Sequence, residues 1–328
     1  MAHNLAFVNG KASMMYYGDA PWHEFGTKLD HPATAQEAME AAQLNFTVEK
    51  FPLMSTTNGR MGLLKVPDWY STIRTDTWDV LGVVGSDYTI VQNSDAFTFF
   101  DSLVGEGEAI YHTAGALGHG ERIWILAKMP DYIRVNGNDI VDKYLLLTTG
   151  HNGRYKIRAK LTPIRVVCEN TLNAALPERG QAAASDEIAI VHTANAKDRL
   201  AEAHKILGLA NTLYSQLGEI FQRMSLRKIT DEELLNYVKK LVPDNPDSDN
   251  NKRRELQRSA ILDLHENGKG AEMARGTLWG VYNAVAEYTD HIATDGKGDD
   301  QVINYVLYGA GKELKEEAFE EALVLLNN

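Results

Sequence analysis

Cations recur at every second position through Arg154, Lys156, Arg158 and Lys160, and Arg165 follows shortly after. On an extended strand, alternate side chains share one face and repeat every ~6.6 Å, close to the phosphate spacing of a stretched single strand. Such a row has the geometry to follow a nucleic-acid backbone, and Tyr155 and Trp124 supply rings on which bases could stack. A strand face that meets only water is the other reading of the same pattern.

The elements that position this row are legible around it. An apolar strand, Tyr144 to Thr148, runs into Gly150-His151-Asn152-Gly153, whose Asn-Gly pair tolerates the positive φ of a tight turn. The return strand then alternates, with Tyr155, Ile157, Ala159 and Leu161 opposite the cations. Beyond Pro163 the pattern reads as a helix starting near Asn170 or Thr171, with Val166, Val167, Leu172 and Leu176 as core.

Other chemistry finds no foothold. The histidines form no HExxH, HxH or His/Cys cluster with metal spacing, so no metal site is expected. Gly115, Gly118 and Gly120 lack both the strand-GxGxxG-helix setting and the Lys-Ser/Thr of a phosphate loop, and read as a hairpin turn. Pro67-Asp68, Pro130-Asp131 and Pro246-Asp247 are not followed by the Asp/Glu-x-Lys of a strand-borne nuclease site. Cys168 lies among apolar residues and reads as a small core side chain, and there is no Gly-x-Ser-x-Gly elbow. No catalytic residue and no cofactor are expected.

A chain of 328 residues, 44% hydrophobic and 24% charged, can bury a large core. It has no apolar run long enough to span a membrane, no secretory leader pattern and one cysteine, which together suit a reducing cytoplasm. The net charge of −12 argues against broad affinity for nucleic acid, so any such function must rest on a local basic groove.

In chain order, Thr34 and Glu37 form a capping box for a short helix. Phe46 to Leu53, Met61 to Val66, Trp69 to Ile73, Leu81 to Val84 and Tyr88 to Val91 read as strands, with Asn58-Gly59 turning between the first two. Asn93 or Ser94 starts a helix, and Ala109 to Thr113 and Arg122 to Lys128 are strands again. Strands following strands predict an α+β fold, mainly antiparallel, rather than alternating β/α units. The polar stretch Pro177 to Glu187 divides an α+β core over 1–185 from a helical domain over 186–328. There, Leu207, Tyr214, Leu217, Phe221 and Met224 keep a helical seam, filled within the chain or between copies in a homo-oligomer through the 200–224 helix. Thr230 and Glu233 cap the next helix, and further helices cover Lys252 to His265, Met273 to His291 and Lys312 to Leu326.

Four segments, APWHEFGTKL (Ala20 to Leu29), AGALGHGERIWILAKM (Ala114 to Met129), TPIRVVCENTLNAAL (Thr162 to Leu176) and TLWGVYNAVAEYTDH (Thr277 to His291), give the chain its likeness. In that order it resembles the phage/plasmid-like protein family that carries the domain of unknown function 932. The resemblance implies a mobile-element origin and a bacterial cytoplasm, and brings no assigned reaction. Two functions are expected from different classes. One is binding of single-stranded DNA, as in the phage recombination proteins that anneal strands, whose sheet-and-helix cores with basic hairpins are similar in outline. The other is a non-enzymatic interaction protein that binds or inhibits a host factor.

Overall fold

The computed structural model describes residues 5–18, 26–56, 62–104, 110–165, 167, 170–171, 187–196, 198, 204–245, 251–296, 301–302, 305–306 and 309–327. The chain forms two compact units, each assembled from separated stretches. One comprises Met1–Pro130, Tyr144–Leu161 and Glu187–Leu209; the other comprises Asp131–Lys143, Thr162–Asp186 and Ala210–Asn328. Sheets of mostly antiparallel strands precede a run of helices, which makes the fold α+β.

The first unit opens with β1 (Phe7–Val8), β2 (Lys11–Ala12), β3 (Met14–Tyr17) and β4 (Thr27–Leu29). Helix α1 (Ala35–Ala41) follows, started by the Thr34/Glu37 capping box, in which each side chain accepts from the other residue's backbone N–H. Next come β5 (Val48–Thr56), β6 (Leu63–Arg74) and β7 (Val80–Gly85), an antiparallel three-stranded sheet of their own. The two strands expected on either side of Pro67 are one. Asp68 adopts a left-handed φ of 59°, so the chain resumes an extended course just past the proline. The Asn58-Gly59 turn lies outside the described residues. Tyr88 to Val91 is not a strand; Tyr88 turns its hydroxyl to the Gly150 carbonyl instead.

Helix α2 (Asn93–Val104), β8 (Ile110–Leu117), β9 (Arg122–Asn136) and β10 (Asp139–Gly150) follow, with β11 (Ile157–Leu161) returning against β10. Beyond them lie the short strands β12 (Ile164–Arg165), β13 (Asn170–Thr171) and β14 (Glu187–Ile190). The second unit therefore has strands where a helix was expected after Pro163: Arg165 pairs with Val141, and Ile164 with Thr171. The expected core positions Val166, Cys168, Leu172 and Leu176 lie outside the described residues. In the first unit, β3 pairs with β8, β8 with β9, β10 with β11 and β11 with β14, all antiparallel; β3 and β4 are parallel.

Helix α3 (His204–Leu226) carries the predicted seam into the second unit. From residue 213 onward Leu213, Tyr214, Leu217, Phe221 and Met224 are buried within the chain. Phe221 lies 4.8 Å from the Trp279 ring and meets Phe319 edge-on. Helix α4 (Asp231–Leu241) starts from the Thr230/Glu233 capping box. Helices α5 (Lys252–Asn267), α6 (Leu278–Glu287) and α7 (Ala310–Asn327) complete the unit, α6 running on into a π-helical turn over Tyr288–Ile292. The carboxylate of Asp139 there accepts from Nε and Nη2 of Arg165 at 2.8 and 2.7 Å and from Nε1 of Trp279 at 2.8 Å, all buried.

Candidate functional site

The turn that joins β10 to β11 is held from several directions. The His151 carbonyl accepts a 2.6 Å bond from the Thr72 hydroxyl of β6, and its N–H donates to the Glu121 carbonyl. The Tyr88 hydroxyl donates to the Gly150 carbonyl at 2.8 Å. His151 Nε2 lies 2.9 Å from Asn93 Oδ1, while the amide nitrogen of Asn93 donates to the Leu44 carbonyl. That arrangement makes Nε2 the protonated nitrogen, by inference from the network. Burial, then His192 and Arg74, pushes the His151 imidazolium down to about 3, so the ring is neutral.

His192 is its neighbour, stacked on the Tyr88 ring at 4.9 Å. Its Nδ1 donates to the Thr89 carbonyl and its Nε2 accepts from the Thr149 hydroxyl. Burial lowers its pKa as well. The buried histidines therefore fix the turn without carrying charge. Nothing in sequence spacing joined them, because Thr72, Tyr88, Asn93, His151 and His192 come from separate strands and loops; the signal was the histidine inside Gly-His-Asn-Gly.

Past this anchored turn the chain faces solvent. The Arg154 N–H donates to Asn152 Oδ1, and this local bond prolongs the turn, so β11 begins only at Ile157. Arg154, Tyr155 and Lys156 are exposed ahead of the strand, and Arg158 is exposed on it. The four cations thus do not share one strand face. Lys160 is buried in the sheet, between its Cα partners Leu146 and Glu187. Arg165, 1% exposed, is held by Asp139 and by the Gly270 carbonyl, not turned to solvent.

The aromatics part ways too. Trp124 is buried, its ring filling the space that Gly115 leaves by having no side chain. Tyr155, expected on the face opposite the cations, is 37% exposed and crosses the backbone of Gly150, where a Cβ would meet its ring at 2.7 Å. The Arg122 guanidinium lies 4.5 Å over the Tyr155 ring. The result is a layered stack of backbone, phenol and planar cation, with Arg154, Lys156 and Arg158 close to it in sequence. Arg122 was missed because the pairing spans two strand ends, although its position after the Gly118–Gly120 turn put it at a hairpin edge.

The family model for DUF932, a domain of unknown function, matches residues 80–315. The chain belongs to the DUF932 family. No curated protein and no solved structure matches it. The DUF932 match takes in β7, the anchored turn, the exposed cations and the helices up to the first turns of α7. Among the described residues of this DUF932 protein, no group of three or more His, Cys, Asp or Glu could hold a metal ion, and no helix is long and apolar enough to cross a membrane.

Proposed function

We propose that this DUF932 protein binds single-stranded nucleic acid through Arg122, Arg154, Tyr155, Lys156 and Arg158. The observation that carries the reading is the Arg122–Tyr155 stack, with exposed Arg154 and Lys156 on either side of Tyr155 in the chain. A planar guanidinium backed by an aromatic ring offers a face to an unstacked base, and neighbouring cations neutralise phosphates. Duplex DNA keeps its bases stacked inside and offers the same patch phosphates alone. A single strand is therefore the better ligand, as strand annealing in a mobile-element setting within a bacterial cytoplasm would require. The net charge of −12 confines binding to this patch and makes it sensitive to salt.

The test is fluorescence anisotropy of labelled oligothymidylate and of a blunt duplex at low salt. The single strand should bind more tightly than the duplex, and Arg122→Ala should weaken it by ~1–3 kcal/mol, the scale of one stacked base. No binding of the single strand by the wild type, or an undiminished affinity in Arg122→Ala, would remove the reading.

A further inference from the structure

We propose that the outer face of the β5–β6–β7 sheet is a docking surface for a basic, apolar segment of a partner protein. Residues directly opposite in antiparallel strands share a face. Lys50, Thr72 and Gly82 lie opposite one another, as do Pro52, Tyr70 and Val84. Their face is turned inward: Thr72 and Val84 are buried, and Gly82 lies against Asn152. Phe51, Ser71 and Val83 form the next row, Glu49, Ile73 and Val80 another, and Trp69 sits opposite Gly85. These rows make the outer face.

That face is mostly apolar and is exposed around a buried Ser71, with Phe51 and Ile73 half-buried. Val80 is 60% exposed, and Trp69 and Val83 are close to half exposed. Trp78, from the turn between β6 and β7, is 66% exposed with its ring 6.1 Å from Phe51. It holds a φ of 62°, a conformation that bulky side chains rarely adopt. A strained backbone that sets an indole out in water fits a surface shaped for contact, and contiguous exposed apolar patches mark interaction sites.

Charge says what the contact is. Glu49 lies on the face itself, beside Ile73 and Val80. Asp76 and Asp79 stand in the turn at one end, and Asp68 and Asp87 flank Trp69 and Gly85 at the other. Lys65 lies beyond the Pro67–Asp68 irregularity, opposite Met54, and the two cations paired nearer this face are engaged elsewhere. Lys50 Nζ donates to the carbonyls of Ser86 and Tyr88, and buried Arg74 grips Asp76. At this rim Arg74 pairs with Asp76 and His119 lies 3.6 Å from Asp79, which leaves Glu49, Asp68 and Asp87 as the carboxylates that no ion pair among the described residues engages. An acidic rim repels phosphates, and a second copy would set Glu49 against carboxylates of its own kind. A lysine- or arginine-bearing apolar segment complements both features.

The test uses the full chain and two synthetic amphipathic peptides of one leucine pattern, with lysine or with glutamate on the polar face. The lysine peptide should bind, shift tryptophan emission to the blue and lose affinity with salt, while the glutamate peptide should not bind. Trp78→Ala should weaken the lysine peptide at least about tenfold, the scale of losing an aromatic anchor. Glu49→Lys should weaken it too, with the thermal midpoint of both variants unchanged. Arg122→Ala should leave the lysine peptide's affinity unchanged, which separates this face from the Arg122–Tyr155 patch. Binding of neither peptide, equal binding of both, or indifference to both substitutions would overturn the proposal. So would a dimer that Val83→Lys dissociates, because a second copy would then be the occupant.

Discussion

The Thr72 hydroxyl donates a 2.6 Å hydrogen bond to the carbonyl oxygen of His151, tying the middle strand of the β5–β6–β7 sheet to the turn between β10 and β11. Both groups are buried, and burying a carbonyl without a partner is costly, so the bond fixes where the turn sits. The exposed residues Arg154 to Lys156 leave from that fixed point.

Close approach at the same junction makes Gly82 irreplaceable. A Cβ there would lie 2.5 Å from the Asn152 Cα and 2.7 Å from its Cβ, and the Asn152 backbone cannot swing aside as a flexible side-chain end would. Gly82→Ala should destabilise the fold by ~1–3 kcal/mol, the usual cost of overpacking. Gly85→Ala, where a Cβ meets nothing within 4 Å, is the control and should change little. Urea unfolding of the two variants checks the difference.

His151 gives the fold a pH dependence. Its imidazole stays neutral when folded, with the pKa pushed down to about 3, while in the unfolded chain it titrates near 6.5. Between those values the unfolded chain binds the extra proton. Stability is therefore full above about pH 6.5 and falls as pH drops toward 3, by up to ~1.4 kcal/mol per pH unit from this residue. His192, also lowered by burial, adds to the slope in the same direction. Unfolding free energies from pH 7 to 4.5 should decline in the wild type and decline less steeply in His151→Gln.

Local signals in the sequence fared well. Both Thr/Glu capping boxes form, because a cap needs only residues three apart. Leu217 and Phe221 are buried as their helical spacing implies. The basic row failed where tertiary contacts overrule periodicity. Asn152 prolongs the turn and takes Arg154 and Lys156 off the strand, the sheet buries Lys160, and Asp139 captures Arg165. Strand alternation reports which side chains share a face; it carries no information on whether a second layer covers that face. Beyond His151 in its Gly-His-Asn-Gly turn, the histidine cluster was illegible because its members meet only through long-range packing.

Arg165 should matter for stability rather than for ligand binding. It pairs with Asp139 out of water, so Arg165→Ala leaves a buried carboxylate with the Trp279 indole and the loss of its main partner. The expected cost is ~3–5 kcal/mol, as for other broken buried pairs. Replacing both members, Asp139→Leu with Arg165→Met, should recover part of it. Thermal unfolding of the single and double variants tests this, and a single variant as stable as wild type would contradict the buried pairing.

The salt dependence of oligothymidylate binding tests the proposed function most directly. Arg154, Lys156 and Arg158 are the exposed members of the row, and each phosphate neutralised on a single strand contributes about −0.7 to the slope of log K against log salt. The wild type should show a slope of roughly −2, and Lys156→Ala a slope nearer −1.4. Lys160→Ala, at a buried position, should leave the slope as it is in any variant population that remains folded. A wild-type protein that binds no single strand at low salt, or a slope that Lys156→Ala leaves unchanged, would contradict the account.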